Sequence, residues 1–386
     1  MLKGYGMAKK VLMAAMMMAG CVAAAVPPVK KGPLINGPAK AQAPATATAQ
    51  KPAASVAVKK PSASVAVKKP AAPAVKKPAA PATRKPAAAD AKKPAVERHV
   101  PATAPRAPYR GAIAVEAEKG RVLFADNERT TGYPASCTKM MTFLLVLEDI
   151  GAGRYRLSDR ATASAYAASM EPSKVDIRPG QSMTIEDLLY SLMIKSANDA
   201  AVVLAEHAAK SRSGGGEAAD VKSEDLVAAF VARMNRRAQE LGMADTRYAS
   251  PNGLPPPRGS KRGFDVSTAQ DLAKLGRALV AMPGALKYTS LASHTVTGGG
   301  GQPISFQNHN YFVPRNRDPQ RLATPVPECD GIKTGYTAAS GSSIVLTAQR
   351  DGRRVVVVVL GSAGRHEREA AAGRILRDAL DAVSIW

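Results

Sequence analysis

Ser136 and Lys139 stand three residues apart in the segment Pro134-Ala135-Ser136-Cys137-Thr138-Lys139-Met140-Met141-Thr142. On a helix that spacing sets a hydroxyl and an amine on one face. A serine alone is a poor nucleophile, and a lysine whose ammonium is destabilised can take its proton. By itself the pair carries little weight, because Ser-x-x-Lys arises by chance about once or twice in a chain of this size. Two further groups follow it in order. Ser196-Ala197-Asn198 supplies a second hydroxyl and an amide, and Lys333-Thr334-Gly335 supplies a cation and a hydroxyl suited to a carboxylate. Gly335 would let a substrate backbone lie close against a strand. Ser250-Pro251-Asn252 has the same Ser-x-Asn form but falls in a Pro-Asn-Gly turn. Ser196, 60 positions after Ser136, is therefore taken as the site member.

These residues need rigid elements to bring them together. The helix that begins near Ser136 runs through Phe143-Leu144-Leu145-Val146-Leu147 and is expected to stop before Gly151. It is apolar nearly all round and so should be central; burial there would lower the pKa of Lys139. Thr184-Ile185-Glu186-Asp187 reads as a capped helix start whose apolar body reaches Ile194, interrupted at Ser196-Ala197-Asn198 before a second helix over 200–209. A loop is expected over 211–216, a helix over 230–241 closed by Gly242, a helix capped by Ser267 and Gln270 reaching about Met282, and a loose loop at Gly298–Gly301. Strands are expected at Ala112–Val115 and Val122–Phe124, and again at Ser343–Thr347 and Val355–Leu360 around Asp351-Gly352. Lys333-Thr334-Gly335 should open a strand just before that second hairpin, and a last helix should run from about Glu367 to Val383. Strands at both ends with helices between them give an α/β (α+β) fold: one antiparallel sheet built from both ends of the domain, flanking helices and a helical lobe.

The ordered trio Ser-x-x-Lys, Ser-x-Asn and Lys-Thr-Gly is the signature of penicillin-binding proteins and class A β-lactamases. Residues 109–386 resemble the D-alanyl-D-alanine carboxypeptidases of the low-molecular-weight penicillin-binding protein type, serine peptidase family S11. The resemblance rests on the Pro134–Thr142 segment (with Cys137 where Leu is usual), on Ser196-Ala197-Asn198-Asp199-Ala200-Ala201 with Leu204–His207, on Leu241–Met243, Ser250–Leu254 and Ser267–Ala269, and on Asp330–Thr337. It implies a serine β-lactamase/transpeptidase-like fold and an acyl transfer on peptidoglycan stem peptides. Ser136 would attack the carbonyl between two terminal D-alanines, Lys139 would be the general base, and Ser196 would relay a proton to the leaving amine. Asn198 would hold the substrate amide and orient Lys139, while Lys333 and Thr334 would grip the terminal carboxylate. The backbone N–H groups of Ser136 and Tyr336 would form the oxyanion hole. Water would release the acyl-enzyme, whereas a β-lactam would leave it stalled as a covalent inhibitor. The second β-domain and the amphipathic membrane helix of many family members are expected to be absent, so any membrane attachment would be N-terminal.

Other readings compete. A DD-endopeptidase cutting crosslinks would use the same site. A β-lactamase ranks lower, since no Glu-x-x-Leu-Asn-like stretch lies where a deacylating glutamate is expected. A non-catalytic wall-binding protein would not require Ser136, Lys139 and Ser196 together.

The chain of 386 residues carries a net charge of +23, but unevenly. Residues 26–108 hold 16 Lys/Arg against 2 Asp/Glu and are dominated by Ala, Pro and Lys, with Ser55-Val-Ala-Val-Lys-Lys-Pro61 repeated at Ser64–Pro70. Proline and like charges make this a solvated, disordered tether, read here as a spacer. Residues 1–25 place Lys3, Lys9 and Lys10 before an apolar run too short for a comfortable membrane span. They read as an export signal, with cleavage near Ala25 favoured over a lipoprotein-like Met18-Ala19-Gly20-Cys21 that would make Cys21 an anchor. The protein is thus expected in the periplasm or cell envelope, with no nucleic-acid partner. No His-Glu-x-x-His or comparable ligand spacing occurs among the five histidines, so neither metal nor cofactor is expected. Cys21, Cys137 and Cys329 do not make a disulfide framework. An oxidising compartment would allow Cys137 and Cys329 to pair, but a packed side chain and a free thiol is the favoured reading.

Overall fold

The computed structural model describes residues 107–213, 221–317 and 323–384. The export-signal and tether readings, and the glycines of the expected 211–216 loop, lie outside these. The main sheet has five antiparallel strands in the order β2-β1-β9-β8-β7: β1 (Gly111–Glu116), β2 (Val122–Asp126), β7 (Cys329–Thr337), β8 (Gly341–Arg350) and β9 (Arg353–Ser362). The N-terminal hairpin thus pairs with the C-terminal one, with Ile113 opposite Val358 in the β1–β9 register.

The valine run explains why β9 is central. Val356, Val358 and Leu360 enter one apolar cluster, and Val355, Val357 and Val359 enter another on the opposite face. A strand covered on both faces loses the alternation of a half-exposed one. Helix α7 (Arg365–Ser384) contributes Ala372, Ile375 and Leu376 to the second cluster, while α6 (Ala269–Ala281) packs Leu272 and Leu275 into the first.

The lobe on the first face is built around α1 (Lys139–Gly151), preceded by a 3₁₀ turn over Ala135–Thr138. Phe143, Leu144, Leu145 and Val146 are at most 1% exposed, each burial contributing about 1.5–3 kcal/mol. Around α1 lie α2 (Ala165–Ala168), α3 (Ile185–Tyr190) with a wide π turn over Ser191–Lys195, α4 (Asn198–Arg212) and α5 (Ser223–Glu240).

Several boundaries differ from expectation. Ser136 lies in the tighter 3₁₀ turn, and α1 runs on through Gly151. Helix α4 starts at Asn198 and takes in Ser211 and Arg212, and α5 starts seven residues before Phe230, at Ser223. Thr268, not Ser267, caps α6, its hydroxyl accepting from Asp271 N–H; Ser267 is instead engaged with Thr246. Two small hairpins were not anticipated: β3 (Arg160–Thr162) with β4 (Ser182–Thr184), and β5 (Ser293–Thr297) with β6 (Pro303–Gln307), for which Gly298–Gly301 is the turn. Their strands are short and mostly polar, which weakens the apolar alternation that marks a strand.

Candidate active site

Ser136 lies where α1 points its first turn at the edge strand β7. The approach is close enough to dictate residue type. A Cβ on Gly335 would stand 2.6 Å from the Pro134 carbonyl oxygen and 3.2 Å from Cys137 Sγ, and one on Gly253 would stand 1.9 Å from the Ala135 carbonyl oxygen. Glycine at 335 is therefore required by the turn that carries Ser136, in addition to any substrate passing over it. Ala135, immediately before Ser136, and Ser196 both adopt left-handed backbone, with φ of 48° and 64°. Such conformations are unusual for non-glycine residues and cluster at functional sites.

Lys139 is fully buried, yet its amine has three oxygen neighbours: Ser136 Oγ at 3.0 Å, Asn198 Oδ1 at 2.6 Å and the Asn252 carbonyl oxygen at 2.6 Å. A neutral amine has two N–H groups and one lone pair. The two carbonyl oxygens only accept, so they take both hydrogens, and the lone pair is left for the Ser136 hydroxyl. Burial is the largest influence on this amine and pushes its pKa well below the ordinary lysine value. The positive charge of Lys333 adds to that effect, while Asp265, Cys137 and Asp199 oppose it. Asn198 is in turn oriented by its Nδ2 donating to the Glu171 carbonyl at 2.9 Å.

The Asn252 carbonyl is itself built into place. Thr142 Oγ1, one turn along α1, donates to the Pro251 carbonyl at 2.6 Å, and Ser250 Oγ accepts from Gly253 N–H at 2.9 Å. Beneath the turn, the buried Asp265 carboxylate accepts from Ala249 N–H at 2.5 Å, Ser250 N–H at 2.9 Å and Ser250 Oγ at 2.7 Å. The turn set aside on sequence grounds thus enters the site through its backbone.

Ser136, Ser196, Asn198, Thr334, Gly335 and Tyr336 line one cleft of about 380 Å³. Lys333 is 2% exposed and lies behind this wall, its Nζ donating to the Thr334 carbonyl at 2.9 Å. Burial pulls its pKa down to about 8. The sequence reading missed Arg368, which lines the cleft from α7 and pairs with the buried Glu369. It sits in a Glu-Arg-Glu run indistinguishable from a solvated helix face. Tyr336 is 56% exposed at the mouth, with the Arg365 guanidinium 6.0 Å from its ring centre. Cys137 and Cys329 are both free. They belong to the clusters on opposite faces of the sheet, which rules out their pairing. Burial raises the Cys137 thiol to about 11.

Comparison with known proteins gives a consistent picture. The sequence profile of the D-alanyl-D-alanine carboxypeptidases (peptidase S11) matches residues 99–364. The chain is 32% identical over 267 residues to the D-alanyl-D-alanine carboxypeptidase DacF of Bacillus subtilis, covering 69% of this chain and 61% of that protein. It is 29% identical over 271 residues to DacC of Escherichia coli, covering 67% and 58%. The chain therefore spans about three fifths of the length of these curated relatives. A crystal structure of a D-alanyl-D-alanine carboxypeptidase from Mycobacterium tuberculosis superposes with a TM-score of 0.57 at 28% identity, covering 72% of this chain and 92% of that one.

Proposed function

Since the chain belongs to the D-alanyl-D-alanine carboxypeptidase family, peptidase S11, we propose that it is a serine-type carboxypeptidase that removes the terminal D-alanine from peptidoglycan stem peptides. The observation that carries this reading is the Lys139 amine, with two carbonyl acceptors at 2.6 Å and the Ser136 hydroxyl at 3.0 Å.

In the proposed reaction Ser136 Oγ attacks the carbonyl between the two D-alanines, and its proton passes to Lys139. The substrate's terminal carboxylate lies against Thr334 and Arg368, with the Lys333 charge behind them. The developing oxyanion is met by the N–H groups of Ser136 and Tyr336. Collapse of the tetrahedral intermediate breaks the C–N bond. The proton held by Lys139 returns through Ser196 to the leaving amine of D-alanine. Water, deprotonated in the same way, then cleaves the ester and regenerates Ser136. A β-lactam acylates Ser136 by the first half of this sequence and blocks the second.

The domain reading carries over as part of the proposal: an export signal over 1–25, a tether over 26–108 and the catalytic domain over 109–386. Action on peptidoglycan places the enzyme outside the cytoplasm, in the periplasm or cell envelope. Among the described residues no helix is long and apolar enough to cross a membrane.

The test is to incubate the purified protein with pentapeptide and with crosslinked muropeptides, using Ser136→Ala as control. Release of D-alanine from the pentapeptide by the wild type alone is the expected result. Cleavage of crosslinks without D-alanine release would replace the carboxypeptidase reading by an endopeptidase one, and rapid penicillin hydrolysis would replace it by a β-lactamase.

A further inference from the structure

Chain segments that line the catalytic cleft also line a second, polar cleft of about 670 Å³. Three chain segments pass from one to the other. Pro172 and Ser173 line the first, and Lys174, Asp176 and Arg178 the second. Ser196 lines the first and Lys195 the second. The third segment gives Ser305 and Phe306 to the second cleft and, a few residues on, His309 and Tyr311 to the first.

The charge of this second cleft is unbalanced. Three cations, Lys174, Arg178 and Lys195, face one carboxylate, Asp176. Lys174 Nζ lies 3.4 Å from Asp176 Oδ1, whose side chain is 77% exposed. Among the described residues no ion pair joins Arg178 or Lys195 to a carboxylate. Lys195 is only partly exposed, and its backbone is pinned: Ser173 Oγ donates to the Lys195 carbonyl at 3.0 Å, and Asn198 N–H donates to the Ser173 carbonyl at 2.7 Å. The amine is therefore launched from a fixed point one residue from Ser196. Unpaired cations on the wall of a concave site raise the local concentration of anions.

The terminal carboxylate of a D-Ala-D-Ala substrate is already served by Thr334 and Arg368 on β7 and α7, so these cations are not needed for it. We propose that Lys195 and Arg178 form a subsite for a further peptide carboxylate of the cell-wall substrate, outside the terminal D-Ala-D-Ala unit, so that free-acid peptides are favoured over amidated ones. The inference rests on the reading of Ser136 as the nucleophile of a wall peptidase. The carboxylate has two sources, the same stem peptide upstream of D-Ala-D-Ala or the neighbouring stem of a crosslinked pair.

The test compares wild type with the Lys195→Gln/Arg178→Gln double variant on four substrates. These are diacetyl-lysyl-D-alanyl-D-alanine, a muropeptide pentapeptide with free carboxyl groups, its amidated counterpart, and a crosslinked dimer. The expected result is a KM raised about threefold to tenfold on the free-acid pentapeptide or the dimer, as two partly solvated ion pairs would give. kcat should not change, nor should any constant on the short and amidated substrates. Which substrate loses affinity identifies the source, and the wild-type preference should weaken at high salt. Benzylpenicillin acylation at the wild-type rate shows that the variant is folded with its nucleophile intact. Equal losses on all four substrates, or none on the charged ones, overturn the subsite while leaving the Ser136 reading standing. If the wild type is not acylated and releases no D-alanine, the Ser136 reading fails and the subsite falls with it.

Discussion

Asp265 Oδ2 accepts the Ser250 hydroxyl at 2.7 Å, and through that contact a carboxylate outside the cleft lining holds the turn that faces the Lys139 amine. It holds the near end of the turn whose far end presents the Asn252 carbonyl to Lys139. Removing the carboxylate leaves the part-buried Ala249 N–H and the buried Ser250 N–H without their acceptor. Asp265→Ala should therefore cost about 2–4 kcal/mol in urea unfolding, the range for emptying a buried charged hydrogen-bond site.

Asp265→Asn separates geometry from charge. Asp265 raises the pKa of Lys139 against the dominant effect of burial. Neutralising it should lower that pKa further, so the acidic limb of kcat/KM should move to lower pH. Asp199 and Cys137 also raise the Lys139 pKa, and Lys333 lowers it; all three are unchanged in the variant. A limb that stays put or moves up would show that Asp265 acts on stability alone.

Lys333 gives a second pH signature. Its folded pKa of about 8 lies below the ordinary lysine value of 10.5 because it is buried. The charged form is therefore disfavoured by folding, and the cost is fully present below pH 8. As pH rises from 8 to 10.5 the folded state loses its proton while the unfolded chain keeps it, so stability is regained. Relative to Lys333→Met, the wild type should gain on the order of 3 kcal/mol of stability between pH 7 and pH 10.5. Urea midpoints of the two proteins at pH 7 and pH 10 measure this directly; parallel behaviour at both pH values would contradict it.

Gly335→Ala tests the contact between β7 and the turn that carries Ser136. The new methyl would meet a backbone carbonyl at 2.6 Å, which cannot swing away as a side chain would. The strand and the turn must separate, and displacements of this kind cost about 10²-fold in rate. Benzylpenicillin acylation of Ser136 should slow by that order, with about 1–3 kcal/mol of lost stability.

What was legible in the sequence was what is local or carried by side-chain type. Ser136 and Lys139 are neighbours along one turn, and Ser196, Asn198 and Lys333-Thr334-Gly335 announce themselves by residue type. The Val355–Leu360 run similarly reveals a strand buried on both faces. Asn252 was visible only as the end of a Ser-x-Asn turn that was set aside in favour of Ser196. It enters through its carbonyl oxygen, which every residue possesses, and only the fold brings position 252 beside position 139. Asp265 acts one step further back, through Ser250, so its role has no pattern along the chain. Lys333 was readable as a member of the site but not as a group sealed behind it, because burial is a property of the packed lobe.

Cys137, next to Ser136, invites the thought of a reactive thiol. Its surroundings argue otherwise: it is fully buried, its Sγ lies 3.8 Å from the Lys333 carbonyl oxygen, and burial raises its pKa to about 11. The thiolate is the reactive species, so at pH 8 about one thiol in a thousand would be ionised even before access is considered. Native protein should resist a thiol reagent at Cys137 at pH 8, and the same position should label readily in urea. Cys137→Ala removes one buried sulfur without touching the Lys139 contacts, so the rate of penicillin acylation should stay within about twofold while stability falls by about 1 kcal/mol. Fast labelling of the folded protein, or acylation slowed tenfold in the alanine variant, would mean that the thiol faces the reacting groups.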